Sequence, residues 1–439
     1  MSVPVFGVRS RRRAICDAMQ QLLHVLIVDV RRGEALVAER AGGWLLPILQ
    51  AAERTRIAAL VEPWARARGI RGRMVGQWLG RLTTDGDAVD WLAIVSARAE
   101  QCDISISDLR WLTLASVATS RSCVEYQRWA IEMALANSPL PSVPGPFGTM
   151  TWIDGVESWL GDRCLTPYRL SAHEVVLECR ARGKRAFFKG LSCRRAAEAI
   201  LTSQLATLAP ESFPKTIDTA TRPDGSVWWL MDACPGVPLS TDLAVRNAAL
   251  AAGTYARVQR QVMDSLAFNR SFALEHVPLD RLSRWATELI GDGSDGCRRI
   301  IDACERVEAC GAPQSWVFMD FDPRNVFVDG DRVRFIDLDN SVLSSAPLGV
   351  ATFGRHVKAA GFSDLGAVYD SYFQSLRIPT TIDCVTLSAF ELVSLVLECR
   401  LAWKRVLQKT KDDEVYGAVD YVRRRLARRL AEWPGQRPP

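Results

Sequence analysis

Residues 320–337 read Asp-Phe-Asp-Pro-Arg-Asn-Val-Phe-Val-Asp-Gly-Asp-Arg-Val-Arg-Phe-Ile-Asp, and no other stretch narrows so far what this chain can build. Val326, Phe327 and Val328 suit a strand, Asp329-Gly330 a tight turn, and Val333, Phe335 and Ile336 the return strand. Asn325 and Asp337 flank this predicted hairpin almost symmetrically, so strand pairing sets their side chains next to each other. Asp320 lies on the loop ahead of Asn325. Two neighbouring oxygen ligands at a strand edge suit a hard divalent cation such as Mg2+. The same pattern also describes an ordinary surface hairpin with polar flanks, so the segment has to be weighed with the rest of the chain.

At 439 residues the chain is too long for one ordinary core, which predicts two or three domains. A hydrophobic content of 48% with 24% charged residues is that of a globular protein. The 55 basic and 50 acidic residues leave a net charge of only +5, compatible with anionic ligands such as nucleotides but without a polybasic surface for nucleic acid. The basic runs at Arg11-Arg12-Arg13 and Arg423-Arg424-Arg425 sit on helical patterns and read as solvated helix faces. Twelve cysteines are scattered with no Cys-x-x-Cys pair, and there are only four histidines. A reducing, cytoplasmic location is the expectation. No apolar stretch follows Arg9–Arg13 as in a leader, and none approaches the ~20 residues of a membrane span. Oligomeric state is not readable.

The clearest boundary is Asn137–Thr149, rich in proline and glycine. It predicts an N-terminal α/β domain over 1–136, a linker over 137–149, a sheet-rich lobe over 150–236 and a helical lobe over 237–439. In the first, Leu23–Val30 and Ala35–Ala38 suggest a hairpin, Arg54–Arg68 a helix interrupted at Pro63, and Asp90–Ser96 a further strand. Asp108–Trp111 leads into a predicted helix through Ala136. After the linker, Trp152, Val156, Trp159 and Leu160 share one helical face. Val175–Cys179 and Arg185–Lys189 form a predicted hairpin, Arg194–Leu208 a helix, and Thr216–Ala220 and Val227–Asp232 a second strand pair. From Thr241 the pattern is helical up to the hairpin at 326–336 and again from Asp364 to Trp433. The expected fold class is therefore α+β.

These parts resemble the aminoglycoside phosphotransferase and choline kinase branch of the protein-kinase-like fold, over roughly Trp152 to Leu407. The family's loop runs His-Gly-Asp-Leu-His-Pro-Gly-Asn, and this chain has Phe318-Met319-Asp320-Phe321-Asp322-Pro323-Arg324-Asn325. The family's Ile-Asp-Phe corresponds to Ile336-Asp337-Leu338. The resemblance implies ATP and Mg2+ as cofactors, with Asn325 and Asp337 on the metal and Asp320 as base or orienter of an acceptor hydroxyl. It implies phosphate contact by Lys189, with Glu198 as its pairing acid, and adenine contact through the backbone of Asp232 and Cys234. The first His is replaced by Phe318, the second by Asp322, and a small residue by Arg324. Asp322 and Asp339 stand as candidate supporting carboxylates, and His173 as incidental. The N-terminal segment more weakly resembles a Nudix fold, but Glu62-Pro63 and Arg66-Ala67 stand where paired acids would hold metal.

The resemblance thus implies transfer of the ATP γ-phosphate to a hydroxyl of a small molecule: an aminoglycoside, amino-sugar, amino alcohol or related metabolite. The alternative is a pseudokinase, a nucleotide-binding scaffold or regulatory module without turnover. Transfer to a protein side chain finds little support, because no Ala-Pro-Glu follows Asp337. Glu391, Glu398 and Asp383 are candidate contacts for a cationic acceptor, and equally ordinary helix-surface charges.

Overall fold

The computed structural model describes residues 21–29, 32–40, 43–51, 57–70, 72–81, 89–97, 109–113, 116–117, 147, 152–161, 165–170, 174–265, 274–290, 294–362, 365–378 and 382–409, with 424, 426–428 and 430 near the C-terminus. The basic run at Arg11–Arg13, the helix expected through Ala136, His173 and most of the 137–149 linker lie outside them. The chain divides into two compact units: Met1–Ala196 with Thr216–Asp232, and Ala197–Lys215 with Ala233–Pro439. Both mix strand and helix, as the α+β expectation requires.

The first unit opens with β1 (Gln21–Asp29), β2 (Glu34–Arg40), β3 (Gly43–Leu45), β4 (Ile48–Ala51), α1 (Ile57–Ala67), β5 (Gly72–Arg81), β6 (Val89–Ala97) and β7 (Leu109–Thr113). The Leu23–Val28 run is buried from Val25 onward on both faces, which suits a central strand. β1 accordingly pairs antiparallel with β2 and β4 and parallel with β6. α1 holds a single acid, Glu62, followed by Pro63, so it brings no paired carboxylates to a metal.

The unit continues through α2 (Trp152–Leu160), β8 (Thr166–Leu170), β9 (Glu174–Ala181), β10 (Lys184–Leu191), β11 (Thr216–Thr221) and β12 (Val227–Asp232). These strands form a five-stranded antiparallel sheet ordered β11-β12-β10-β9-β8. Its core is continuous with that of the N-terminal sheet. Trp152 shows how: its indole is buried, stacks edge-on against Phe147, and donates its N–H to the Val75 carbonyl of β5 at 3.0 Å.

The second unit contains α3 (Ala197–Leu208), β13 (Val237–Pro238), α4 (Val245–Asp264), α5 (Leu279–Ile290), α6 (Asp295–Ala309), β14 (Gln314–Phe318), β15 (Val326–Asp329), β16 (Arg332–Phe335), β17 (Ser341–Ser345), α7 (Pro347–Ala359), α8 (Gly366–Leu376) and α9 (Cys384–Lys409). The hairpin β15–β16 forms as its sequence predicts, with Val326 opposite Phe335, and Gly330 takes the left-handed φ of 62° that the turn demands. β14 interrupts a region whose sequence pattern is helical, and β13 and β17 are short strands that the sequence does not announce. β14 pairs antiparallel with β17, Phe318 opposite Ser341, closing the base of the whole 319–340 segment. Gly236, at φ 85°, lets β13 reach β15; a side chain there would run into the Val328 carbonyl.

A buried polar knot holds β14. The Gln259 amide on α4 donates to the Trp316 and Ala346 carbonyls at 2.7 and 3.0 Å, and its oxygen accepts from Tyr372 at 2.7 Å. The Tyr255 hydroxyl donates to the Trp316 carbonyl at 3.2 Å and accepts from the Phe318 N–H at 3.0 Å. Burial pushes the titration of Tyr255 upward, keeping it a neutral donor. Gly349 sits against this ring, and a Cβ there would overlap the Tyr255 hydroxyl. Tyr255→Phe should therefore cost about 1–3 kcal/mol, because it strips a buried N–H of its acceptor. Urea unfolding would show it, and a midpoint equal to wild type would mean the knot does not brace this strand.

Candidate functional site

Two nested antiparallel pairs assemble the site. The outer pair, β14–β17, brings residue 320 and residues 339–340 to one edge, and the Met319 N–H donates to the Asn340 carbonyl at 2.9 Å. The inner pair, β15–β16, sets Asn325 beside Ile336, whose N–H donates to the Asn325 carbonyl at 3.0 Å. Asp337 follows at once. Asp320, Asp337 and Asp339 each point one carboxylate oxygen into a common space, all within 4.8 Å of one another, and all three residues are half-buried.

Asn325 donates its side-chain N–H to the Asp320 carbonyl at 3.0 Å, which leaves its amide oxygen as the atom that can meet a cation. Asn340 reaches the Asp320 carboxylate at 3.4 Å. Asp337 adopts φ 62°, a left-handed backbone that a residue other than glycine takes up only at a cost. The donor set is all oxygen, largely anionic and only partly exposed. That fits a hard divalent cation such as Mg2+, which oxygens of Asp337, Asp339 and Asp320 could hold, with the Asn325 amide oxygen as a further candidate. Such an ion would neutralise oxygens that otherwise repel.

Where the kinase motif has its first histidine, Phe318 is buried. It stacks on Trp316 and Phe321 at centroid distances of 5.8 Å each, and Phe321 stacks on Phe353 at 4.2 Å. The loop is braced by an aromatic ladder. At the second histidine position, Asp322 is buried and accepts from the Arg324 backbone N–H, capping the short turn Pro323–Asn325. Its carboxylate also meets the Arg324 side chain in a two-pronged pair and His356 Nδ1 at 3.2 Å. Burial pushes this carboxyl upward, but hydrogen bonds from His356 and Arg324 prevail and hold it well below the ordinary carboxylate range.

In the first unit Lys189 is buried near the end of β10, with its ammonium 3.1 Å from Glu174 on β9. Arg195 and Arg169 also meet that carboxylate, which is 1% exposed. The family resemblance implies Glu198 as the acid for Lys189; within the lysine's own unit, Glu174 is an acid paired with it. Glu198 itself is buried on α3 in the second unit. Asp232 ends β12 and Cys234 follows in irregular chain before β13, both half-buried.

The acceptor-contact candidates are committed to local structure. Glu398 pairs with Arg355 at 3.1 Å, Glu391 accepts from the Tyr369 hydroxyl at 3.1 Å, and Asp383 accepts from the Thr386 N–H at 2.7 Å. Glu174 and His356 escape the sequence reading because their partners lie far along the chain. The Asp339-Asn340 pair, two residues past Asp337, is a local signal for the rest of the cluster.

No family model matches the sequence. No curated protein matches it either. Solved structures similar to the chain include a choline/ethanolamine kinase family protein from Mesorhizobium loti, at 13% identity and TM-score 0.46, covering 64% of this chain and 95% of that one. Another is an aminoglycoside phosphotransferase solved with GDP and kanamycin, at 10% identity and TM-score 0.48, covering 64% and 99%. A third is amicoumacin kinase in complex with AMP-PNP, Ca2+ and Ami, at 13% identity and TM-score 0.43, covering 60% of this chain and 88% of that one. At such scores the case for function rests on the site's own geometry.

Asp337→Asn keeps a side chain that tolerates the left-handed backbone and removes one charge from the cluster. We expect an unfolding midpoint close to wild type and at least about tenfold weaker Mg2+ binding, read by metal titration. Asp322 contributes through its depressed folded-state titration, so its stabilisation is present above its unfolded value of about 3.9 and is lost as pH falls through the folded value. The stability gap between wild type and Asp322→Asn should be full at neutral pH and shrink steadily below about pH 4. Urea midpoints at stepped pH would test this, and a gap that widens in acid would contradict it.

Proposed function

We propose that the protein is an ATP- and Mg2+-dependent phosphotransferase that moves the γ-phosphoryl group to a hydroxyl of a small molecule. The grouping of Asp320, Asp337 and Asp339 around one space, with Asn325 tied to Asp320, carries this reading. Phosphoryl transfer asks a protein mainly to position groups and neutralise charge. Asp337, Asp339 and Asn325 would hold the metal on the nucleotide phosphates. The acceptor oxygen would bond to the γ-phosphorus, the bond to the β–γ bridging oxygen would break with departure of ADP, and the acceptor's proton would pass to the Asp320 carboxylate. Lys189 is proposed as a phosphate-contacting cation and Glu198 as a supporting acid. The backbone of Asp232 and Cys234 is proposed to meet the adenine. The similar solved structures are of enzymes that bear the names of aminoglycosides, choline/ethanolamine and amicoumacin, which supports a small-molecule acceptor in general terms.

The acceptor class is addressed by measuring Mg2+-dependent ADP release with a panel of amino-sugars and amino alcohols. Asp320→Ala and Asp337→Ala should each lower turnover by about 100-fold or more while leaving the fold intact. Wild-type turnover in purified Asp337→Ala would remove the metal assignment. Metal-dependent nucleotide binding without turnover toward any acceptor would replace the enzyme with a nucleotide-binding module.

A further inference from the structure

Two departures from the kinase-like loop motif turn out to be partners. Asp322 stands in place of a histidine and Arg324 in place of a small residue, and their side chains bind each other through Nε–Oδ1 and Nη2–Oδ2 contacts of 2.9 Å each. The pair is lopsided: the Arg324 side chain is 74% exposed and the Asp322 side chain 8%, so solvent screens the contact from the arginine side. Asp322 is in any case held by His356 and by the backbone N–H it caps. What the fork does achieve is orientation. Arginine has five N–H donors in a rigid plane; the contacts to Asp322 engage the Nε and Nη2 edge and leave the Nη1 side for a ligand.

A free guanidinium edge suits an anionic ligand. Arg324 immediately precedes Asn325, whose side chain is tied to the Asp320 carbonyl, and a guanidinium is charged at any working pH. A phosphoryl group in transfer spreads negative charge over its equatorial oxygens, and a metal ion covers only part of it. We propose that Arg324 is the cation that binds the transferred phosphoryl group, with Asp322 as the residue that positions it. This assignment rests on the phosphotransferase reading and adds to it a group that the loop motif lacks.

The test compares equilibrium binding of Mg·ATP and Mg·ADP, which differ by the γ-phosphoryl group. Arg324→Gln should weaken Mg·ATP by about tenfold, or about 1.4 kcal/mol, while changing Mg·ADP by less than about twofold. Asp322→Asn, which keeps the cation but loosens its fork, should lower the same ATP-over-ADP preference by a smaller factor. Loosening of the loop alone would weaken both nucleotides alike, so an unchanged ratio in Arg324→Gln overturns the proposal. That result also holds if Arg324 meets an anion on the acceptor instead. Should Arg324→Gln fail to fold, Arg324→Lys retains the charge without the fork and should lose part of the preference; a full wild-type ratio in it, like an unchanged ratio in Arg324→Gln, counts against the assignment. If wild-type protein binds neither nucleotide with Mg2+, the phosphotransferase reading falls and this one with it.

Discussion

The pairing of Phe318 with Ser341 is the constraint on which the site depends. It closes a 22-residue excursion, 319–340, at its base, so the residues just inside the clamp emerge together at one edge. Without it, Asp320 and Asp339 would be the two ends of an open loop, and bringing them to one ion would carry the full entropy of closure. The inner hairpin then does the same for Asn325 and Asp337 at shorter range. Local turn chemistry at Asp329-Gly330 drives the inner pair. The outer pair is non-local and has to be fixed by packing.

Packing fixes it in two ways. Trp316, Phe318, Phe321 and Phe353 form a run of stacked rings, a large apolar burial with little rotamer freedom to lose. Behind it, Gln259, Tyr255 and Tyr372 satisfy the carbonyls that the ladder leaves on its inner side. The two are interdependent: a buried polar knot is stabilising only when every group is paired, and the rings keep water from competing. Phe318 contributes ring stacking, while its backbone N–H is satisfied by the Tyr255 hydroxyl.

What the sequence reveals follows the range of the interactions involved. The β15–β16 hairpin, the β9–β10 hairpin and the β11–β12 pair all have turn residues between alternating or apolar runs, and all form. β14 and β17 were not legible because Gln314–Phe318 and Ser341–Ser345 are short and lack a turn between them; each becomes a strand only by meeting the other. Asp320, Asn325 and Asp337 stand out by spacing. Asp322 and Asp339 are visible beside them as supporting carboxylates, but the contact of Asp322 with His356 on α7 is not, because it depends on how a distant helix packs. Glu174 is likewise invisible as a partner for Lys189 until β9 and β10 are paired, when the two side chains fall on one face of the sheet.

The distribution of charge in the helical unit bears on what it can recognise. Glu391, Glu398 and Asp383 look from sequence like free acids available to a cationic acceptor, yet each serves a tyrosine, an arginine or a helix start. Of the three, Glu398 already has a cationic partner, and the other two are oriented by a hydrogen bond to local structure. The unit keeps its concentrated negative charge at 320, 337 and 339, where Asp337 bears a strained backbone to complete the group. Strain and like-charge crowding at one place is the arrangement expected when a site is organised for a cation that offsets the crowding. The strain is tolerated because Ile336 and Leu338 on either side are held, one by the Asn325 carbonyl and the other by the core, so the chain has no cheaper way to pass through residue 337.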